Sequence, residues 1–330
     1  MVAMVLGVYG RPSARVRRWG YHPAVETAEL TPAQRRTLEE LIGVRDRPRF
    51  PRDLVPRVRE RIEAAVLASD LPEPLWLGKS SLSDLDRCPG LFDAVRSGER
   101  APFAYTDRFA AGRLLHKAIE LEVAGRTERD PHALAEAAAE RLLEDDAFAA
   151  YWRELDALGR DELLMEAVRA LELFRATMPP LGRMRRELAP CTEWPVRVEL
   201  AGGALVLSGT LDLVLGTSED GDASRASRLA IDLKTGRAWP EHAEDMRFYA
   251  LLLALRFGVP PYRVATLYLD SGEWQAEEVD ERVLDRAADR VIAAVRAEVS
   301  LRAGEAPSLR PGPVLRLVPT RPGCPALTSA

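Results

Sequence analysis

The sequence predicts an α/β fold with a helical insertion in front of the sheet-forming part. Three observations carry that reading. Residues 132–178 place apolar side chains at helical spacing in a run rich in Ala, Leu and Glu. From Thr192 the period falls to two and three strands follow in succession as far as Lys234. A further helix and a strand pair then alternate up to residue 279. Helices first, then strands interleaved with a helix, is the pattern of an α/β core with a helical cap. At 330 residues the chain suffices for one large domain or two small ones. Its 47% hydrophobic and 29% charged residues are those of a globular protein, and the net charge of −5 means that any nucleic-acid surface must be local.

The elements are justified in order. Met1–Gly10 is apolar, lacks a basic region before it and is too short to span a bilayer. Arg11, Arg15, Arg17 and Arg18 cluster, as do Arg57, Arg59 and Arg61; solvated helix faces explain them better than a nucleic-acid contact. Thr31-Pro32 caps a helix to about Ile42, and a second runs from about Arg52 to Ala68. Gly78-Lys79-Ser80 is not a phosphate loop, because the position five before Gly78 is Glu73 rather than Gly. Ser80 to Asp86 reads as a short helix capped by serines and closed by Pro89. Arg108 to Ala124 is an amphipathic helix with His116 and Glu120 on one face. The helical run 132–178 breaks near Gly159-Arg160-Asp161 and ends at Pro179-Pro180. Thr192–Leu200 and Ala204–Leu215 form a hairpin about Ala201-Gly202-Gly203. In its second strand Leu205, Leu207, Leu211, Leu213 and Leu215 fall on one face, with Ser208, Thr210 and Asp212 on the other. A helix over 242–257, strands over 262–270 and 273–279, a helix over 282–301 and a Pro- and Gly-rich tail complete the chain. Three cysteines, Cys88, Cys191 and Cys324, are too few and too scattered for a disulfide framework, so a reducing cytoplasm is expected.

The stretch Arg228-Leu-Ala-Ile-Asp-Leu-Lys-Thr-Gly-Arg237 carries the chemistry. Leu229, Ile231 and Leu233 point one way along a strand, Asp232 and Lys234 the other. An acid beside an amine at the end of a strand suits metal-assisted phosphodiester chemistry: the carboxylate holds a hard cation and the ammonium aims a water. One D-x-K triplet is expected by chance in a chain of this size. Yet only three of the 46 basic residues are lysines, Lys79, Lys117 and Lys234, which makes a lysine at this place more informative. On the preceding strand, a carboxylate at Asp212 among Leu and Val must be solvated, paired or bound to a cation.

Ser80 to Cys88-Pro89, Gly112-Arg-Leu-Leu-His116, Gly209-Thr-Leu-Asp212, Ile231-Asp-Leu-Lys-Thr-Gly236 and the helix with Tyr249, taken in this order, resemble the RecB-type nucleases of the PD-(D/E)xK superfamily. The resemblance covers about three-quarters of the chain by pattern rather than close identity. It implies a restriction-endonuclease-like α/β core, a mixed central sheet flanked by helices, over residues 76–330. Within it, a helical insertion spans about 126–180, and an Arg-rich helical extension over 1–75 precedes it. It further implies a cytoplasmic, Mg²⁺- or Mn²⁺-dependent deoxyribonuclease, an exonuclease of repair or recombination acting on DNA single strands or duplex ends, with a helicase as possible partner. By that resemblance His116, Asp212, Asp232 and the Leu233 carbonyl are metal ligands, Lys234 is the catalytic lysine, and Tyr249 belongs to the site. Two departures stand out. Asp245 occupies the position where relatives carry Gln. The iron–sulfur pattern keeps Cys88 and Cys324 but has Leu315 and Val318 between, and since two thiolates fall short of the usual four, no cluster is expected. These losses motivate the alternative of a weak or inactive DNA-binding accessory module in a helicase–nuclease complex.

Overall fold

A computed structural model describes residues 30–43, 47–69, 71–97, 104–216 and 224–307. The readings at Met1–Gly10, Arg11, Arg15, Arg17 and Arg18, and those at Leu315, Val318 and Cys324, lie outside these residues. Two helices come first. Helix α1 (Pro32–Arg36) is fixed by a capping box between Thr31 and Gln34 and continues as a π-helix to Ile42. Helix α2 (Leu54–Leu67) follows. After strand β1 (Leu75–Leu77) come α3 (Lys79–Arg87), α4 (Pro89–Arg96) and α5 (Asp107–Ala124). The insertion comprises α6 (Pro131–Leu142), α7 (Asp146–Glu154) and α8 (Ala157–Thr177), with a short α9 (Arg185–Leu188) after it. The hairpin β2 (Cys191–Leu200) and β3 (Leu205–Leu215), then β4 (Leu229–Lys234), α10 (Pro240–Phe257), β5 (Arg263–Tyr268), β6 (Glu273–Glu278) and α11 (Glu281–Arg302) complete the described chain.

The six strands form one mixed sheet flanked by helices, as expected of a restriction-endonuclease-like core. One edge of β3 is taken along its length by antiparallel β2. Its other edge is shared. Parallel β1 covers Leu205–Leu207 and antiparallel β4 covers Leu213–Leu215, which leaves Ser208 to Asp212 between them without a strand partner on that side. Parallel β5 and then antiparallel β6 extend the sheet beyond β4.

Each face of the sheet has its own apolar core. One is built from α5, α6 and α8 against Leu213, Leu215, Leu229, Ile231, Leu233 and Leu267. The other gathers α2, α10 and α11 against Leu205, Leu207, Leu211, Val214, Ala230 and Val264. Helix α10 lies deepest, with eight successive residues from Phe248 to Leu255 buried, which explains why its sequence is apolar almost all round. No described helix is long and apolar enough to cross a membrane.

Three local expectations are corrected. The odd-numbered leucines of β3 do not share a face: Leu205, Leu207 and Leu211 enter one core, Leu213 and Leu215 the other. The change falls at Asp212, opposite Glu193 of β2, whose backbone is left-handed (φ 46°). Pro89 ends α3 as expected, Cys88 before it being extended, and it also opens α4 at its first position, where its missing N–H is no loss. The serines after Lys79 do not cap α3; Gly78 precedes that helix, and Ser83 points inward to Asp245. The break in the insertion lies at Leu155-Asp156, where the Asp156 carboxylate caps α8 through the Gly159 N–H, and a second break separates α6 from α7. Of the second arginine cluster, Arg57 and Arg61 pair with acids of α11, while Arg59 reaches the Leu255 carbonyl.

Candidate active site

The site lies where β3 loses a partner. The β3–β4 ladder stops at Leu213↔Ile231, so the next positions in register are Asp212 and Asp232. In place of a ladder bond, the Leu233 N–H donates to Asp212 Oδ2 at 2.7 Å. On the other side of β3, the pairs Thr192↔Leu213 and Trp194↔Leu211 set Glu193 opposite Asp212. Three carboxylates therefore sit in one row across β2, β3 and β4. Like charges directly opposed on a sheet destabilise it. A non-glycine residue in left-handed backbone at the same spot adds strain, the kind of outlier that marks a functional position.

His116 meets the row from α5. Its Nδ1 lies 3.3 Å from Glu193 Oε1 and 3.6 Å from Asp212 Oδ1. His116, Glu193 and Asp212 each offer a donor atom, all within 4.8 Å of one another. One imidazole nitrogen and two carboxylate oxygens from three elements make a donor set that fits a divalent cation, leaving positions for water or a phosphate oxygen. Glu120, read from the sequence as sharing the face of His116, turns instead to Lys117.

Asp232 is treated differently from Asp212. Its side chain is 1% exposed and both oxygens are engaged, Oδ1 by Lys79 Nζ at 3.0 Å and Oδ2 by Lys234 Nζ at 2.5 Å. Burial alone would favour its protonated form, but the two ammonium groups hold it well below the usual carboxylate range. Asp212 goes the other way: burial, then the charge of Asp232, push it up to about 6 against the pull of His116 and the lysines. For His116, burial works against the charged ring, yet Asp212 and Glu193 outweigh it and raise the imidazole above its ordinary value. Burial would likewise raise Glu193, but the hydrogen bond and charge of His116 bring it below normal.

Tyr249 does not reach the carboxylates. Its hydroxyl donates to the Thr210 carbonyl at 2.7 Å, and Lys79 Nζ stands 5.2 Å from the ring centre. The ring also explains the glycine in Gly209-Thr-Leu-Asp212, because a Cβ on Gly209 would come within 2.9 Å of Tyr249 Cε1. Asp245 accepts from Ser83 Oγ at 2.8 Å and lies 3.8 Å from Arg290, which binds α3, α10 and α11 together. Of the residues expected from sequence, the structure thus brings together His116, Asp212, Asp232, Lys234 and the Leu233 backbone, with Tyr249 alongside. It adds Glu193 and Lys79. Glu193 could have been found by counting back from the Gly202-Gly203 turn to the residue opposite Asp212; for Lys79 only the scarcity of lysine gave a signal.

A sheet with paired acids and a lysine at an interrupted ladder defines the class of protein. Residues 77–325 match the model of the PD-(D/E)XK nuclease superfamily, and the chain belongs to that superfamily. No curated protein matches it in sequence. Among solved structures, a protein from Eubacterium rectale named as a provisional exonuclease is 11% identical over 74% of this chain and 94% of its own, with a TM-score of 0.43. A protein named SSO0001 is 15% identical over 73% of this chain and 84% of its own, with a TM-score of 0.29. Membership implies a hydrolase of phosphodiester bonds, and members of the superfamily generally use divalent metals.

Proposed function

We propose that the protein is a metal-dependent DNA nuclease of the RecB type, an exonuclease serving repair or recombination. The observation that carries this reading is the row of Glu193, Asp212 and Asp232 across adjacent strands, with His116 above it and Lys234 beside it. His116, Glu193 and Asp212 would hold the ion, with Asp232 and the Leu233 carbonyl as further ligands. A divalent cation in such a site acidifies water and offsets charge on phosphate oxygens. Lys234 contributes a mobile ammonium that orients the attacking water and contacts the phosphate. Hydrolysis forms one bond from the water oxygen to phosphorus and breaks one ester bond, the water proton ending on the leaving oxygen. Tyr249 acts as a positioning residue through the Thr210 carbonyl, holding the strand that carries Asp212. The imidazole nitrogen in the donor set favours Mn²⁺ over Mg²⁺.

Purified protein with end-labelled single-stranded and duplex DNA, in Mn²⁺, Mg²⁺ or EDTA, tests the reading. Metal-dependent cleavage lost in Asp212→Asn and Asp232→Asn is expected. Equal background in all three proteins would overturn it. The second reading, an accessory module beside a helicase, draws on the occupied oxygens of Asp232 and on Asp245; DNA binding without cleavage in any metal would favour it. The absence of an iron–sulfur cluster belongs to the same proposal and is checked by iron analysis of the purified protein.

A further inference from the structure

A second space opens next to the metal row. Leu233 holds Asp212 through its N–H and sends its own side chain into the core under α5 and α8. Thr235, two residues or about 7 Å farther along the chain, lines a cavity of about 400 Å³ between α5, α8 and the end of β5. That volume suits a small organic group. Helix α5 serves both places, with His116 at the row and Leu115 in the cavity wall. Ala170 and Leu173 of α8 form another apolar wall, and the same helix supplies Glu166 and Arg169. Both of these are exposed, and no described residue forms an ion pair with either. Arg108, one turn before the cavity on α5, lies over the turn that follows Lys234. Gly236 has a φ of 92°, and a Cβ there would lie 3.0 Å from Arg108 Nη2, so glycine leaves room for the guanidinium. A cavity at the far end of α5 differs in this respect, because its Arg175 is already bound to both oxygens of Glu122.

The lining matches a nucleobase better than a phosphate. Apolar walls suit the faces of a ring, and a carboxylate near a guanidinium suits an edge that carries both donors and acceptors. The Glu166 carboxylate would repel a phosphate, whereas Arg108, which no described acid pairs, would bind one. We propose that the cavity receives one base of the substrate strand, next to the scissile phosphate, while Arg108 contacts a neighbouring phosphate. A base can enter only when it is unpaired. The site therefore selects single strands and frayed ends, since a closed duplex must first give up pairing and stacking. The place of this base in turnover rests on the nuclease reading; the base pocket itself is read by binding alone.

The test has two arms on the full-length protein. In Ca²⁺, which offsets the acidic row, the affinity of a labelled single-stranded oligonucleotide is measured by fluorescence anisotropy while an abasic unit is moved along it. One position is expected to weaken binding by about tenfold, the loss of one stacked base, and the others by less than about threefold. Ala170→Phe, which puts a ring into the cavity, is expected to flatten the scan, as is Leu173→Trp at a half-buried place that tolerates bulk better. A flat scan in wild type, or a peak that survives in a folded filling variant, overturns the proposal. Arg108→Ala, at an exposed residue, is expected to weaken intact and abasic strands alike by about fivefold and to lower the salt slope by about one. Unchanged binding overturns the phosphate contact. In the second arm, cleavage in Mn²⁺ is expected to be about tenfold faster for a single strand than for a blunt duplex, with mismatched terminal pairs recovering most of the rate. Equal rates overturn the selection for unpaired bases. Cleavage with a flat scan refutes the base pocket and leaves the nuclease reading standing, whereas a peaked scan without cleavage in any metal does the reverse.

Discussion

Glu193 offers the sharpest test of the site, because removing its charge should matter far more with metal than without. The change is Glu193→Gln, which keeps size and one acceptor oxygen. In the metal-free protein Glu193 faces Asp212 across the β2–β3 ladder, with a left-handed backbone. Removing one of two opposed charges relieves about 0.5 kcal/mol, the middle of the range for such pairs. The amide oxygen can still accept from His116 Nδ1, now 3.3 Å from Oε1, but the attraction of His116, which holds Glu193 below the usual carboxylate range, is lost and offsets that gain. With metal the effect is large. Unit charges about 4 Å apart interact by about 4 kcal/mol in a protein-like dielectric. Halving this for the oxygen dipole that Gln retains leaves about 2 kcal/mol, or roughly thirtyfold in metal affinity. Titration calorimetry with Mn²⁺ measures the affinity, and urea unfolding in EDTA measures the metal-free stability. A weaker metal site in a protein of nearly unchanged metal-free stability is the expected result. Unchanged affinity, or a metal-free protein clearly destabilised, would show that Glu193 serves only as a partner for His116 and would refute the donor set.

Two further outcomes follow from the same geometry. Asp212 titrates near 6, above its unfolded value, so its charged form weakens the metal-free fold above that pH and the penalty fades as pH falls through it. A bound cation offsets that penalty only while Asp212 is ionised and His116 neutral, so the rise in Tm given by Mn²⁺ should be large at pH 7.5 and nearly vanish at about pH 5; equal increments at both values would contradict the assignment. Gly209→Ala forces a methyl against Tyr249 and should lower stability by about 1–3 kcal/mol in urea unfolding, the usual range for overpacking. A neutral result would mean that the ring yields freely and that Tyr249 does not brace the strand.

The sequence by itself determined the order of the elements, because hydrophobic period is a local property: the switch from helical spacing to alternation at Thr192, and the hairpin about Gly202-Gly203, follow from residues within a few positions of one another. It also determined the superfamily motif, since Asp212, Asp232 and Lys234 stand on strands whose other residues are apolar. What the tertiary structure decided was partnership. Alternation says which residues share a face only while the pleat is regular, and in β3 it is broken about Asp212, so that Leu211 and Leu213 enter different cores. The gap in the edge of β3 between β1 and β4 depends on which strands share that edge, a choice made by strand pairing across more than a hundred residues. That gap is what brings Lys79 to Asp232 and leaves Asp212 facing Glu193 and His116. Charge at a site is set by such distant neighbours, because a buried carboxylate takes its character from the cations that the fold packs against it.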